Sequence, residues 1–335
     1  PQGVVWDEVV SDSSNCMGRT CPRFRDCFYF RARRRMDNAQ LLIVNHALFF
    51  SDLALRRQGA SILPDYDAVI IDEAHTVENV AADHLGLNIT AGQVRYNLNR
   101  LYNDRTNKGL LAHLGLRDAQ QEVFMCQMEA DEFFADLFSW REKHAGENGR
   151  IVTPRQFTNR LSPVLSKLAN TIRRHGEEIE DPAGRLDLVS MHQRLSGLAD
   201  SIDQWNRQDL PGMVYWVETS TSRRRRRITL SAAPVDIGPV MRAELYDKVR
   251  TVVMTSATLS TGQEPSFDFF RSRIGLTATE TMRLGSPFRY RDQVQLVLVQ
   301  GMQDPGRDRE NHLTASIEMV KRYVRRSDGH AFVLM

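Results

Sequence analysis

Cysteine, lysine and long apolar runs are all scarce in this sequence, and each scarcity excludes a class of protein. Four cysteines among 335 residues are too few for a disulfide framework. No stretch approaches the roughly 20 uncharged apolar residues that a membrane helix needs. The composition, 41% hydrophobic and 26% charged, is typical of a globular protein of about two domains. Membrane proteins, disulfide scaffolds and disordered tails are therefore excluded.

Only five lysines accompany 39 arginines, and none of the five follows a glycine or precedes a serine or threonine. The phosphate-binding loop G-K-[ST] is therefore absent from these 335 residues. The chain begins at Pro1, and it stops in the apolar run 330–335, where a strand is expected to continue. We expect an internal piece of a longer protein, cut at both ends.

Apolar runs rich in valine and isoleucine predict strands. Residues 41–50 and 67–71 suit buried strands of a parallel sheet, although part of 41–50 could be helical. Alternation predicts two more strands at 213–218 and 228–231, joined by an arginine-rich turn. The remaining predicted strands are 251–254, 295–300 and 331–335.

Residues from about 92 to 205 have a helical pattern instead. Apolar residues there recur every three or four positions, as in Val123, Cys126, Ala130, Phe134 and Leu137. The pattern is interrupted near 146–153 and 181–184, and a further helix is predicted at 313–324. The order is sheet elements, a helical insertion, sheet elements and a new helix–strand unit, which indicates the α/β class.

Two adjacent carboxylates, Asp72 and Glu73, follow the apolar run before them directly. In open α/β sheets ligands bind beyond the carboxyl ends of the strands, where a carboxylate can hold Mg²⁺ and its neighbour can polarise water. An acidic turn that merely favours a helix N-terminus is the ordinary alternative. Ala74 and His75 complete the motif D-E-A-H and favour the functional interpretation.

A second polar motif follows the predicted strand 251–254. Ser256, Ala257 and Thr258 form the motif S-A-T, whose hydroxyls could bond groups on the acidic turn. Alone the motif is weak, because serine and threonine after a strand usually form turns. Its position about 180 residues after D-E-A-H, beyond a helical insertion, makes the pair specific.

With these motifs the chain resembles the DinG-type, XPD-like iron–sulfur helicases of superfamily 2. The resemblance also includes 42–48 with its Asn45-His46 pair, 232–236 and 285–288. Taken alone, His46 would more often be a structural histidine than a catalytic one, and only the resemblance favours a functional role for it. The resemblance implies a partial RecA-like P-loop NTPase motor domain with an iron–sulfur insertion, a helical arch insertion and the start of a second RecA-like domain. The implied divisions are 1–90 with the iron–sulfur segment at about 14–36, 91–227 as the arch, 228–284 as the return to the first motor domain, and 285–335.

The resemblance implies a role for each motif residue. Asp72 would hold Mg²⁺ of the bound ATP, and Glu73 would activate water. His75, Ser256 and Thr258 would couple hydrolysis to movement on DNA. The whole protein would be an ATP-dependent helicase that moves 5′ to 3′ on single-stranded DNA. Because the phosphate-binding loop is absent, we expect no ATP hydrolysis from this chain on its own.

Three cysteines lie within twelve residues, with four residues between Cys16 and Cys21 and five between Cys21 and Cys27. This spacing is not that of a zinc knuckle, but three thiols so close favour a metal centre over disulfides. A [4Fe–4S] cluster normally takes four cysteines. By the resemblance, the fourth would lie upstream of this chain. The alternative is three unlinked cysteines, and Cys126, on an apolar helical face, is expected to be a buried core thiol.

Arginines and aromatics interleave around these cysteines, which suits phosphate neutralisation and base stacking on single-stranded DNA. The residues predicted to contact DNA are Arg19, Arg23, Phe24, Arg25, Tyr29 and Arg33. In the alternative, the aromatics pack around the metal centre and the arginines are simply solvated. The run Arg223–Arg227 falls at a predicted hairpin tip, where a solvated charge run is the default.

Three functions remain open. The first is an active helicase in DNA repair or replication, a monomer in the bacterial cytoplasm that acts on single-stranded and forked duplex DNA and not at a membrane. The second is a non-catalytic iron–sulfur DNA-binding scaffold, although a scaffold has no need to keep Asp72, Glu73, His75, Ser256 and Thr258 together. The third is a relative fused to an exonuclease domain. This chain shows no cluster of carboxylates of the kind that a nuclease site needs.

Overall fold

The computed structural model describes residues 16–57, 59–144, 148–222, 225–260 and 266–334. The chain divides into two compact units, Pro1–Thr281 and Met282–Met335. Mixed helices and strands place it in the predicted α/β class. Among the residues just given, no helix is both long enough and apolar enough to cross a membrane.

The first unit holds most of the regular structure. In chain order its elements are α1 (Phe28–Asp37), α2 (His46–Arg56), β1 (Ala68–Ile71), α3 (Val77–Leu85), β2 (Leu87–Thr90), α4 (Ala91–Leu101), α5 (Leu110–His113), α6 (Arg117–Lys143), β3 (Arg150–Ile151), α7 (Leu161–Glu178), α8 (Pro182–Arg207), β4 (Met213–Ser222), β5 (Arg225–Pro234), α9 (Gly238–Met241), β6 (Thr251–Met254) and α10 (Asp268–Ile274). The second unit contains α11 (Tyr290–Gln293) and α12 (Arg309–Arg326).

Strands β1 and β6 form a two-stranded parallel sheet, in which Ala68 pairs with Thr251 and Ile71 with Met254. Both strands were predicted, but their full burial was not confirmed. Ile71 is buried, whereas Ile70 on the opposite face is 73% exposed. Successive side chains of a strand point to opposite faces, and only one face of this sheet packs on the apolar core.

The core beneath this sheet joins elements that are far apart in sequence. Helix α2 contributes Phe49, Phe50 and Leu53, and the helix after the acidic turn contributes Val77 and Ala81. Further buried members come from the segment before β6 and from α10, namely Ile237, Met241, Leu245, Val249 and Ile274. Strands β1 and β6 therefore pack on one shared apolar core.

A buried carboxylate organises the loop that leads into β1. Asp52 on α2 is fully buried, and its Oδ1 accepts hydrogen bonds from the backbone amides of Ile62 (2.6 Å) and Leu63 (2.8 Å). Its Oδ2 accepts one from Nε of Arg56 at 2.6 Å. Arg56 also donates to the carbonyls of Leu63 and Pro64. These hydrogen bonds replace the contacts with water that the Asp52 carboxylate loses on burial. They attach the loop to α2.

A second apolar core runs from Ile89 to Ala232. It lies between helices α4 to α8 and a four-stranded sheet of order β2-β5-β4-β3. The predicted stripe of α6, from Val123 to Leu137, is buried in it. The indole of Trp205 is also buried there and donates to the carbonyl of Ser231 at 2.9 Å, which joins α8 to β5.

The predicted hairpin is confirmed and is longer than expected. Strands β4 and β5 pair antiparallel from Met213 opposite Pro234 to Ser222 opposite Arg225. The predicted tip lies partly at Arg223 and Arg224, outside the described residues. The helical break near 181–184 is confirmed too, because Asp181 caps α8 by accepting from the amide of Gly184 at 2.7 Å. Part of the other break, 145–147, lies outside the described residues.

Three predicted strands were wrong, wholly or in part. Residues 41–45 have no regular structure, and the rest of that run is α2, capped by Asn45, whose side chain accepts from the amide of Leu48. Residues 295–300 and 331–334 are not strands either. An apolar run becomes a strand only where another strand pairs with it, and the described part of the second unit contains no strand. The helix predicted at 313–324 is confirmed as part of α12.

Candidate functional site

The acidic turn follows β1 without a gap. Strand β1 ends at Ile71, Asp72 and Glu73 follow, and a single helical turn at Ala74–Thr76 leads into α3. Glu73 has a left-handed backbone conformation, with φ 47° and ψ 43°. This conformation is unfavourable for a residue with a Cβ, so the surroundings must hold it.

The backbone joins the acidic turn to the segment after β6. The amide of Thr255 donates to the carbonyl of Ile71 at 2.8 Å, and the amide of Ala74 donates to the carbonyl of Thr255 at 2.9 Å. Backbone hydrogen bonding therefore extends beyond Ile71 and Met254, the last paired residues of the two strands. It places the D-E-A-H and S-A-T motifs side by side.

Asp72 is exposed and receives a hydrogen bond at 2.8 Å from the hydroxyl of Thr255 to its Oδ1. This bond, the backbone amide of Glu73 and, to a smaller extent, the nearby His46 lower the pKa of Asp72 below its usual value. Hydrogen bonds to a carboxylate favour its charged form. Asp72 therefore stays ionised, which is the state that could bind Mg²⁺.

Glu73, His75 and Ser256 form a second cluster. The hydroxyl of Ser256 lies 3.4 Å from Oε2 of Glu73 and 2.8 Å from Nδ1 of His75. His75 Nδ1 is also 3.2 Å from Oε2 of Glu73. Thr258 enters the site through its backbone amide, which donates to Oγ of Ser256 at 3.4 Å. The structure thus brings together all five residues predicted to be catalytic.

Three participating residues were missed as site residues. Thr255 bonds Asp72 directly, yet only Ser256 and Thr258 were singled out in that motif. The register could have identified it, because Met254 pairs with Ile71 and the next residues must then meet. His46 and Thr76 are the other two: Nδ1 of His46 lies 3.1 Å from Oγ1 of Thr76. No sequence spacing indicated that contact, since α2 and the acidic turn meet only in the folded core.

The cysteines behave as two groups. Cys16, Cys21 and Cys27 are free and partly exposed. Nowhere in the described ranges do three or more His, Cys, Asp or Glu side chains form a group that could hold a metal ion, so the structure does not gather these thiols. Cys126 is buried, as predicted, and burial raises the pKa of its thiol to about 12.

The predicted DNA-contact residues differ in how exposed they are. Arg19, Arg23, Arg25 and Tyr29 are exposed, and so are available to a ligand. Phe24 packs on Phe30, with ring centroids 4.5 Å apart. Tyr29 also contacts Phe30, with ring centroids 5.1 Å apart.

Arg33, the sixth of these residues, is half-buried instead. Its guanidinium donates to the carbonyl of Ile62, in the loop that Asp52 holds. Helix α1 is therefore attached to the loop before β1.

Comparisons with known proteins find a family model and several helicases that are similar to this chain. The family model DEAD_2 matches residues 11–94, which include the cysteines and the acidic turn. The ATP-dependent DNA helicase YoaA of Escherichia coli (strain K12) is 27% identical over 98% of this chain and 49% of its own length. The ATP-dependent helicase DinG of Mycobacterium tuberculosis (strain ATCC 25618 / H37Rv) is 28% identical over 90% of this chain and 43% of its own length.

A third relative has a different name. The protein named 3'-5' exonuclease DinG of Bacillus subtilis (strain 168) is 24% identical over 90% of this chain and 36% of its own length. The chain therefore spans about half the length of the curated relatives it matches, or less.

Proposed function

We propose that this chain is part of an ATP-dependent DNA helicase. The DEAD_2 match and the YoaA and DinG relatives support a DinG-type helicase of superfamily 2. The whole protein would couple ATP hydrolysis to 5′-to-3′ movement on single-stranded DNA and to duplex unwinding. The observation that carries the proposal is the direct contact of Asp72, Glu73 and His75 with Thr255 and Ser256.

Asp72 is the residue that would hold Mg²⁺, because its carboxylate is exposed and held ionised. Bound Mg²⁺ would neutralise charge on the ATP phosphates. Glu73 would orient and deprotonate the attacking water, since its carboxylate is exposed beside Asp72. His75 and Ser256 restrain that carboxylate, so a shift of the S-A-T segment would move Glu73 as well. That is the link proposed between hydrolysis and movement.

The phosphate-binding loop would belong to another part of the whole protein. Since no lysine in these 335 residues precedes serine or threonine, we propose that the chain alone does not hydrolyse ATP. Residues 1–90 and 228–284 would form part of the first motor domain, and 285–335 the start of the second. About 91–227 would be an arch-type insertion. Most of the separate apolar core between Ile89 and Ala232 lies in this range, and its sheet also includes β2 and β5 from the flanking ranges.

An iron–sulfur cluster at Cys16, Cys21 and Cys27 is part of the proposal. Three free thiols of this spacing supply suitable ligands, and a fourth would come from upstream. Within the described part of the chain these thiols do not form a group that could hold a metal ion. The exposed Arg19, Arg23, Arg25 and Tyr29 would contact single-stranded or forked DNA. We further propose a cytoplasmic monomer that acts in DNA repair or replication.

Strand separation by the whole protein tests the proposal. A labelled duplex with a 5′ single-stranded tail and one with a 3′ tail are incubated with ATP and Mg²⁺. We expect unwinding of the 5′-tailed duplex only, and none by Glu73→Gln at equal DNA binding. DNA binding without unwinding of either duplex would instead favour the non-catalytic scaffold, and unwinding of the 3′-tailed duplex would refute the polarity.

A further inference from the structure

Thr76 contacts the carbonyl of Glu73, the residue with the left-handed backbone conformation. Two hydrogen bonds reach the carbonyl of Glu73, one from the amide of Thr76 and one from its hydroxyl, both at 3.0 Å. The carbonyl is thereby turned toward the start of α3. The same rotation leaves the Glu73 carboxylate beside His75 and Ser256.

His46 completes this arrangement from outside the turn. Its Nδ1 lies 3.1 Å from Oγ1 of Thr76. A threonine hydroxyl has one hydrogen, and here that hydrogen is donated to the Glu73 carbonyl. The contact with His46 is then a hydrogen bond only if Nδ1 is the donor. With Nδ1 protonated, His46 is the donor in this contact and restrains the rotamer of Thr76.

His46 lies at a capped helix start beside the apolar core. It is the first residue of α2, whose N-cap Asn45 accepts from the amide of Leu48 at 2.8 Å. Phe49 and Phe50, directly behind it, are buried in the core beneath the parallel sheet. His46 thus connects the acidic turn to the core at a point that neither β1 nor β6 supports.

We infer that His46 and Thr76 are positioning residues that hold Glu73 in the conformation required for hydrolysis. The inference rests on the proposed function, in which Glu73 acts on the attacking water. Neither residue needs to touch the nucleotide. Both act through the backbone of Glu73, so losing either hydrogen bond misplaces the carboxylate while the exposed Asp72 remains available to Mg²⁺.

The test measures ATP hydrolysis, in the presence of single-stranded DNA, by four single variants of the whole protein at Thr76 and His46, one double variant and one control. Thr76→Val keeps the shape of the side chain but removes the hydroxyl, and Thr76→Ser restores it. His46→Leu removes the donor, and His46→Asn places an amide N–H near the position of Nδ1. Ser272→Ala is the matched control, because the Ser272 hydroxyl bonds the carbonyl of Phe269, also three residues earlier, outside the acidic turn.

We expect Thr76→Val and His46→Leu each to lower kcat about tenfold or more, with KM for ATP changed by less than about twofold. Thr76→Ser, His46→Asn and the control should stay near the wild type. Because both residues act on Glu73, the double variant Thr76→Val/His46→Leu should have a kcat no lower than that of the more impaired single variant. Thermal unfolding of each variant, followed by circular dichroism, identifies any loss of kcat that reflects misfolding.

An independent readout is the tautomer of His46, from long-range ¹H–¹⁵N NMR of histidine-labelled protein, with the His46 signal assigned by its loss in His46→Asn. We expect Nδ1–H in the wild type and a mixture of tautomers in Thr76→Val. Nε2–H in the wild type, or an unchanged kcat in Thr76→Val, would overturn the inference while the proposed function stands. A wild type that binds DNA but hydrolyses no ATP would instead overturn the proposed function.

Discussion

The hydroxyl of Thr255 donates a hydrogen bond of 2.8 Å to Oδ1 of Asp72, although 183 positions separate the two residues. The parallel pairing of β1 with β6 makes this contact possible, since Ile71 and Met254 are the last pair of the register. Anything that moves the segment after β6 must therefore strain or break a bond to the proposed Mg²⁺ ligand. This contact connects the two motifs in the folded protein.

Removal of the Thr255 hydroxyl should raise the pKa of Asp72. The bond favours the carboxylate, so Thr255→Val removes the largest cause of the lowered pKa, and Thr255→Ser should retain it. Because the folded pKa is lowered, the bond stabilises the fold fully above the ordinary pKa of aspartate, and this stabilisation is lost as the pH falls through the lowered value. Carboxyl ¹³C NMR titration of Asp72 measures the change. An equal pKa in Thr255→Val and wild type would show that the hydroxyl has no such role.

Asp52 should contribute strongly to stability. Asp52→Ala leaves Arg56 and two backbone amides without their buried partner, which we expect to cost about 3–5 kcal/mol. Asp65→Ala is the control, because Asp65 bonds the same Arg56 from a fully exposed position and its removal should destabilise the fold far less. Urea unfolding measures both variants. Equal losses in the two would contradict the buried network.

Replacement by alanine should have opposite effects on stability at two glycines. Gly275 has φ +76°, and a Cβ there would lie 2.3 Å from Cα of Gly238. Gly275→Ala should therefore destabilise the fold by about 2 kcal/mol or more. Gly197 lies within α8, and a Cβ there meets no atom within 4 Å. Gly197→Ala should stabilise by about 0.5–1 kcal/mol, since alanine is the better helix former. A stable Gly275→Ala protein would contradict the close approach of the two backbones.

Cys126 should resist thiol reagents while the protein is folded. Burial raises its pKa to about 12, so almost no thiolate is present at pH 8. Mass spectrometry after brief alkylation should find Cys126 modified only in urea. If the proposed cluster is assembled, Cys16, Cys21 and Cys27 should also be protected, and a chelator should expose these three but not Cys126. Equal modification of Cys126 with and without urea would contradict its burial.

Sequence patterns predicted most elements whose stabilising contacts are local or periodic. The buried stripe from Val123 to Leu137 follows from helical spacing, and the hairpin of β4 and β5 follows from alternation. The strand predicted at 295–300 failed because strand formation depends on a partner that no local pattern specifies. Asn45, a good helix cap, could have indicated that a helix begins at His46.

The candidate site was predictable only in part, because some of its contacts depend on tertiary packing. The motifs at Asp72 and Ser256 are visible in the sequence, and the structure brings them together. The roles of Thr255 and His46 depend on which strands pair and on which helix lies beside the acidic turn. Both facts come from tertiary packing. The metal centre at the three N-terminal cysteines stays a prediction, because the described residues do not form a group that could hold a metal ion.

The most direct test of the account is ATP hydrolysis by the whole protein, purified without oxygen, with and without single-stranded DNA. Glu73→Gln is the matched control, since it keeps the shape of the side chain and removes the carboxylate. We expect strong stimulation by DNA in the wild type and loss of hydrolysis in Glu73→Gln, with DNA binding unchanged. Hydrolysis that survives in Glu73→Gln, or a wild type that binds DNA and hydrolyses nothing, would contradict a motor built on the acidic turn.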